Sequence, residues 1–160
     1  MECQVKLGHV ALPAADPGSL ASWYRNFLGL APTLNGTLPR LGDFTFLSGR
    51  PEEVLQELTF MTEPEARHVA FEVDSLASLR ALYSRAREQG VRVLATLDHQ
   101  SSVSVMLVDP EGNSVEIYWP TGLKVDRLEA SPIDLDRPEA ELMQRFQTRV
   151  EDEARPRGPR

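Results

Sequence analysis

Four polar residues recur at one interval in this chain. His9 in G-H-V-A-L and His68 in R-H-V-A-F stand 59 residues apart, and Glu57 in Q-E-L-T-F precedes Glu116 in V-E-I-Y-W by the same 59. Two imidazoles and one carboxylate leave open positions on an octahedral divalent ion, the arrangement of non-heme iron(II) oxygenases. Adding the second glutamate makes an N2O2 set suited to nickel, zinc, cobalt or manganese. Glu116 lies between Val115 and Ile117, where a carboxylate is costly to bury unless a cation or donor meets it. His9, His68 and Glu116 are therefore read as metal ligands. Glu57 is a fourth candidate in a segment that Glu53 and Gln56 already make polar. The third histidine, His99 in L-D-H-Q-S-S, has two readings: a surface-loop residue, or a general acid/base beside the metal.

Recurring residues need recurring elements to place them. Val5–Leu12 alternates like a strand, with Val5, Leu7, His9 and Ala11 expected on one face. Asp16-Pro17-Gly18-Ser19 supplies turn and N-cap chemistry for a helix bearing Leu20, Trp23, Phe27 and Leu28, which Gly29 ends. Extended segments are expected from Leu34 onward, over Asp43–Leu47 and over Val54–Met61. The order then repeats. His68–Val73 reads as a strand, Asp74-Ser75 opens a helix over Leu76–Ala86 that Gly90 ends, and Val91–Leu97 is a strand. Val103–Val108 and Ser114–Trp119 form a hairpin around D-P-E-G-N. Both helices carry the triplet L-A-S at corresponding places.

The expected fold is α+β, with two tandem β-α-β-β-β modules (about 5–61 and 67–119) sharing a curved mixed sheet. Residues 1–122 would form one domain whose concave face holds the site. Residues 123–160 read as an irregular arm, a helix from Pro138 carrying Leu142, Phe146 and Val150, and a disordered A-R-P-R-G-P-R end.

Bulk composition narrows the function classes. A length of 160 residues with 41% hydrophobic and 26% charged content fits one globular unit. A net charge of −7 argues against nucleic-acid binding, which needs a basic stripe. The single cysteine, Cys3, precludes an intrachain disulfide and a thiolate zinc cluster. No apolar run approaches the roughly 18–20 residues that span a bilayer, and M-E-C-Q-V-K lacks the basic start of a signal peptide. A cytoplasmic protein with no membrane partner is expected.

The strings H-V-A-L, R-H-V-A-F-E-V-D-S and D-P-E-G-N-S-V-E-I-Y-W, spread over residues 5–119, resemble the vicinal oxygen chelate superfamily. That superfamily groups glyoxalase I, extradiol dioxygenases, methylmalonyl-CoA epimerase, fosfomycin-resistance enzymes and bleomycin-binding proteins. The resemblance implies a divalent metal that chelates two adjacent oxygens of a small-molecule substrate, and a homodimer is expected. The second module looks most like the catechol 2,3-dioxygenase-like branch, which implies iron(II) on His9, His68 and Glu116, with His99 as a neighbouring acid/base. Two positions depart from that branch: Met106 stands where its ring-cleaving members carry tyrosine, and Arg67 stands where many carry histidine. The order His9, Glu57, His68, Glu116 resembles instead the four ligands of glyoxalase I, a lyase. A metal-free binding protein of the bleomycin-resistance type is the third alternative.

Overall fold

The computed structural model describes residues 4–125 and 127–154, and the side chains of residues 4–125 and 127–149. Cys3, the side chain of Val150 and the expected disorder of residues 155–160 lie outside the described residues.

The first module runs through β1 (Val5–Pro13), α1 (Pro17–Leu28), β2 (Ala31–Leu38), β3 (Gly42–Ser48) and β4 (Leu58–Met61). A short 3-10 turn, Pro64–Ala66, leads to the second: β5 (His68–Val73), α2 (Leu76–Glu88), β6 (Val93–Asp98), β7 (Ser102–Val108) and β8 (Ser114–Pro120). A two-residue strand β9 (Ser131–Pro132) and helix α3 (Glu139–Ala154) complete the chain. The strands form one mixed sheet in the order β2-β3-β4-β1-β5-β8-β7-β6-β9. The expected α+β architecture of paired β-α-β-β-β units is what the structure shows.

Local chemistry sets the helix ends. Asp16 caps α1 by accepting the Ser19 N–H at 2.9 Å, Pro17 occupies the first turn, and Gly29 closes it at φ 76°. Ser75 caps α2 in the same way through the Ser78 N–H. At its far end the Gly90 N–H bonds Arg87 O and the Val91 N–H bonds Ala86 O, a Schellman ending. Val91 is thereby consumed by the cap, which is why β6 starts at Val93 and not at Val91.

A pseudo-twofold axis passes through the centre of the sheet. β1 and β5 are antiparallel there, pairing His9 with Ala70, Val10 with Val69 and Ala11 with His68. Each central strand has a parallel neighbour, β4 beside β1 and β8 beside β5. The helices lie on the convex side: α1 packs Ala21 on Leu47 and Phe60, and α2 packs Leu76 and Leu79 on Val103 and Val105.

Two strand expectations fail for identifiable reasons. The expected strand Val54–Met61 exists only as Leu58–Met61. Residues 51–53 turn instead, with the Glu53 and Val54 N–H groups both bonded to Arg50 O. In β1 the pairing slips between Leu7 and His9, so Leu7 faces Phe71 across the ladder while His9 faces Ala70. Phe71 and Ala70 point to opposite faces, and Leu7 accordingly leaves the face that His9 and Ala11 share. The bulge sits at Gly8, where an added Cβ would come within 2.3 Å of Tyr118 Oη. Gly8→Ala is expected to push Tyr118 aside and cost about 1–2 kcal/mol. An unchanged urea-denaturation midpoint would show that this close approach does not constrain the strand.

The C-terminal arm belongs to the fold. Ile133, Leu135, Leu142 and Phe146 join the convex core beneath α2. Before that, the segment between β8 and β9 crosses the concave side, where Leu128 packs on Ala11, Phe44, Phe46 and Met61 of the first module. Asp98, 2% exposed at the end of β6, receives Arg145 at 2.9 Å and Arg149 at 2.8 Å from α3.

Candidate metal centre

The concave face encloses a cavity of about 1140 Å³. Apolar side chains from both modules line it, including Phe46, Leu55, Met61 and Met106, and the arm adds Leu123, Val125 and Leu128 as a roof. His9, His68, His99 and Glu116 all reach it.

The twofold brings the repeated histidines together. His9 comes from the middle of β1 and His68 from the start of β5, and their Nε2 atoms lie 3.0 Å apart. Glu116 stands beside Ala70 on the adjacent β8, and its Oε2 lies 3.2 Å from His9 Nε2 and 3.4 Å from His68 Nε2. These three are the group of histidine and acidic side chains, among the described residues, whose donor atoms converge closely enough to hold a metal ion. His9 and Glu116 are buried, and His68 is nearly so.

The three donors fit a divalent ion. Bonds of about 2.1 Å place neighbouring donors about 3.0 Å apart at octahedral angles and about 3.4 Å apart at tetrahedral ones, which brackets the observed separations. The ligand orientation is also prepared. His68 Nδ1 lies 2.7 Å from Ala66 O, and a carbonyl can only accept, so Nδ1 carries a proton. Nε2 is the ring nitrogen turned to the cluster, free to offer its lone pair to a cation once it gives up its proton to Glu116 or solvent. Burial alone would lower the His68 pKa, but its hydrogen bond and charge interaction with Glu116 outweigh that and raise it. Burial would likewise raise Glu116, yet hydrogen bonds to His68 and His9 and the nearby imidazoles hold it well below the usual carboxylate range. The carboxylate is thus anionic and ready to meet a cation.

Glu57 does not join this group. Arg50 donates to its Oε1 through Nε at 3.1 Å and Nη2 at 2.7 Å, and Gly49 N–H and Ser48 Oγ donate to Oε2. The Arg50 hydrogen bond is the chief cause of a lowered Glu57 pKa. Register explains the separation. Ala70 pairs with Glu116, and its twofold mate Ala11 pairs with Thr59. The structural counterpart of Glu116 is therefore Thr59, and the equal 59-residue spacing of the two glutamates misses by two residues. Thr59 is 1% exposed and accepts a hydrogen bond from Gln56 Nε2 at 2.7 Å. Glu57→Gln is expected to leave divalent-metal affinity within about two-fold of wild type, since Glu57 touches none of the three donors. Calorimetric titration with Mn(II) checks this, and a tenfold loss would return Glu57 to the ligand set.

His99 is drawn into the cavity and is no free surface residue. Its Nε2 lies 3.8 Å from Glu116 Oε1, the oxygen turned away from the other histidines, and 3.2 Å from Ser104 Oγ. Met106 pairs with Glu116 across β7 and β8 and lines the cavity at the place expected of a tyrosine. Tyr118 also faces this side, but its hydroxyl donates to Glu72 at 3.2 Å, and burial together with Glu72 pushes its pKa up. Sequence reasoning did not identify Thr59, Ser104, the arm residues or Asp98. The i, i+4 pair Arg145 and Arg149 on a predicted helix was the available sign of the last.

Residues 6–117 match the sequence profile of the Glyoxalase/Bleomycin resistance protein/Dioxygenase superfamily. No curated protein matches the chain in sequence. Among solved structures, the chain is similar to a catechol 2,3-dioxygenase at 22% identity and a TM-score of 0.59, over 80% of this chain and 46% of that one. It is similar to 2,2',3-trihydroxybiphenyl 1,2-dioxygenase from Sphingomonas wittichii strain RW1 at 22% identity and 0.60, over 81% and 44%. A Mn(II)-bound glyoxalase from Novosphingobium aromaticivorans aligns at 16% identity and 0.59, over 93% and 53%. The chain thus spans about half the length of these three relatives, and at such identities the likeness is one of fold. A profile match over most of the chain, on a sheet whose twofold assembles two histidines and a glutamate in one cavity, makes this protein a member of the Glyoxalase/Bleomycin resistance protein/Dioxygenase superfamily.

Proposed function

We propose that the chain is a metal-dependent enzyme that binds a small molecule through two adjacent oxygens, with extradiol-dioxygenase-like chemistry as the leading reaction. The observation that carries this reading is the convergence of His9 Nε2, His68 Nε2 and Glu116 Oε2 in a buried corner of a large apolar cavity. These residues would hold iron(II) or a related divalent ion. Such an ion supplies Lewis acidity and a template for the two substrate oxygens.

The chain's own residues supply the rest. Glu116 contributes one negative charge to a site otherwise built from neutral imidazoles, and Ala66 O fixes the ring of His68. The apolar walls exclude water and bind the carbon skeleton of the substrate by burial. His99, beside Glu116 Oε1, is placed to take a proton from a substrate hydroxyl and return it. Met106 accepts no such role, because a thioether donates no hydrogen bond to a substrate oxygen.

A glyoxalase I-like reaction with four protein ligands is the weaker reading, because Glu57 is engaged by Arg50 and Thr59 stands in the mirrored position. Elemental analysis of the purified protein, then anaerobic reconstitution with iron(II) and oxygen uptake on a catechol panel, tests the proposal. Substrate-dependent oxygen uptake supports ring cleavage. Metal binding without turnover of any substituted catechol would sink the dioxygenase assignment while leaving the metal site standing.

A further inference from the structure

We propose that the C-terminal arm is part of the reaction site, with Glu129 as the residue that positions the His99 ring. This rests on the reading of His99 as the proton-handling group. His99 leaves β6 immediately after Asp98, and without the arm its ring could turn away from the Glu116 side of the cavity. The arm prevents that: His99 Nδ1 lies 3.2 Å from the backbone oxygen of Glu129, across 30 residues of sequence.

The consequence is chemical as well as steric. A carbonyl oxygen can only accept, so this contact places the proton of neutral His99 on Nδ1. Free imidazole side chains in water favour the opposite tautomer, with the proton on Nε2. Held this way, His99 turns its Nε2 lone pair toward Ser104 Oγ and the Glu116 side of the cavity. A general base facing a substrate hydroxyl needs that lone pair on the cavity side.

The Glu129 carbonyl is itself held at several points. The Glu129 side chain accepts a hydrogen bond from Gln100 Nε2 and an ion pair from Arg127. Gln100, next to His99, is the one described non-glycine residue with positive φ, at 66°, and its own N–H is fixed on Asp98 Oδ1. Its carbonyl accepts the hydroxyl of Thr121, where the arm begins, and Thr121 N–H bonds Ser101 O. The arm and the His99 turn are thus laced together from Thr121 to Glu129. A strained left-handed residue at their junction has a structural reason in this lacing.

The experiment reads the ring directly and needs no substrate or metal. With 15N-labelled histidine, the metal-free protein shows three side-chain signals in long-range proton–nitrogen correlation: His9, His68 and His99. His99 is expected to be mainly the Nδ1–H tautomer. Glu129→Ala, which removes the Gln100 and Arg127 tethers, is expected to lower its Nδ1–H to Nε2–H ratio about five-fold, the equivalent of one net hydrogen bond. Glu129→Gln keeps an acceptor for Gln100 and is expected to retain the wild-type ratio.

Gln100→Gly serves where Glu129→Ala perturbs folding. Glycine adopts φ 66° without strain, so only the side-chain tether is lost, and the same shift in tautomer is expected. His68 must keep its Nδ1–H signature in every variant, which separates a local effect from unfolding. A wild-type His99 that is mainly Nε2–H, or a ratio unmoved in both Glu129→Ala and Gln100→Gly, would overturn the proposal. Neither result would touch the metal assignment, which metal titration decides separately.

Discussion

Glu116→Gln is expected to lower affinity for Mn(II) or iron(II) on the order of 100-fold or more, with little change in the shape of the folded protein. The carboxylate supplies the site's one negative charge, and the amide that replaces it is a neutral, weak donor. It can still hydrogen-bond to the imidazoles, so the cavity wall stays intact. His68→Ala should do as much damage by removing a nitrogen donor that Ala66 O holds in position. The sharper test uses the twofold. Thr59 occupies on β4 the ladder position that Glu116 occupies on β8, so Thr59→Glu should bring a second carboxylate to the same pair of imidazoles. In wild type it is expected to tighten metal binding about tenfold, because affinity for hard ions rises with ligand charge. In Glu116→Gln it is expected to restore much of what was lost, by building the twofold-related copy of the native cluster. Calorimetry under anaerobic conditions reads both. Failure of Thr59→Glu to rescue, with the protein folded, would mean that the pseudo-twofold does not extend to the ligand geometry.

The same pair of positions shows what the sequence could and could not convey. A histidine at the same place in two modules was legible because the histidine strands are paired with each other at the axis. Their 59-residue interval therefore survives as a physical relation between His9 and His68. The glutamates gave the same interval for no such reason. The β3–β4 connection, which includes the turn over residues 51–53, is longer than the β7–β8 hairpin, and the last strand of the first module is displaced by two residues relative to the second. An equal spacing thereby conceals a changed register. Period-two alternation failed at Leu7 on similar grounds: a one-residue bulge inverts every face before it, and it falls at a glycine pressed against a tyrosine more than a hundred residues away in sequence. Helix ends were legible because caps are local, whereas strand register and the path of the arm depend on partners remote in sequence. Thr59 and Glu129 could not be singled out for that reason, since a threonine in a strand and a glutamate in a loop carry no local signal.

Removing both cations that α3 presents to Asp98 is the other substitution expected to have a large effect. Asp98 is 2% exposed and accepts Arg149 Nη1 at both carboxylate oxygens, at 3.0 and 2.8 Å, while Arg145 adds a contact at 2.9 Å. Arg145→Met with Arg149→Met keeps much of the apolar length of both side chains, Arg149 lying over the Phe146 ring, but leaves a buried carboxylate with the Gln100 N–H as its one remaining donor among the described residues. Stranding one member of a buried ion pair costs about 3–5 kcal/mol, and the partial exposure of both arginines brings the expected loss to about 2–3 kcal/mol. Urea denaturation of the metal-free protein measures it. Adding Asp98→Ala to the double variant should recover part of that loss, because the uncompensated charge is then gone; a triple variant no more stable than the double would refute the clamp. The consequence reaches the site. Asp98 precedes His99 and anchors Gln100, so loosening α3 slackens the same turn that Glu129 grips from the other side. Metal affinity should change little in these variants, since His9, His68 and Glu116 sit on β1, β5 and β8 at the centre of the sheet. On the proposed function, the α3 clamp and the arm would bear on proton transfer at His99, and the central strands would bear on the metal.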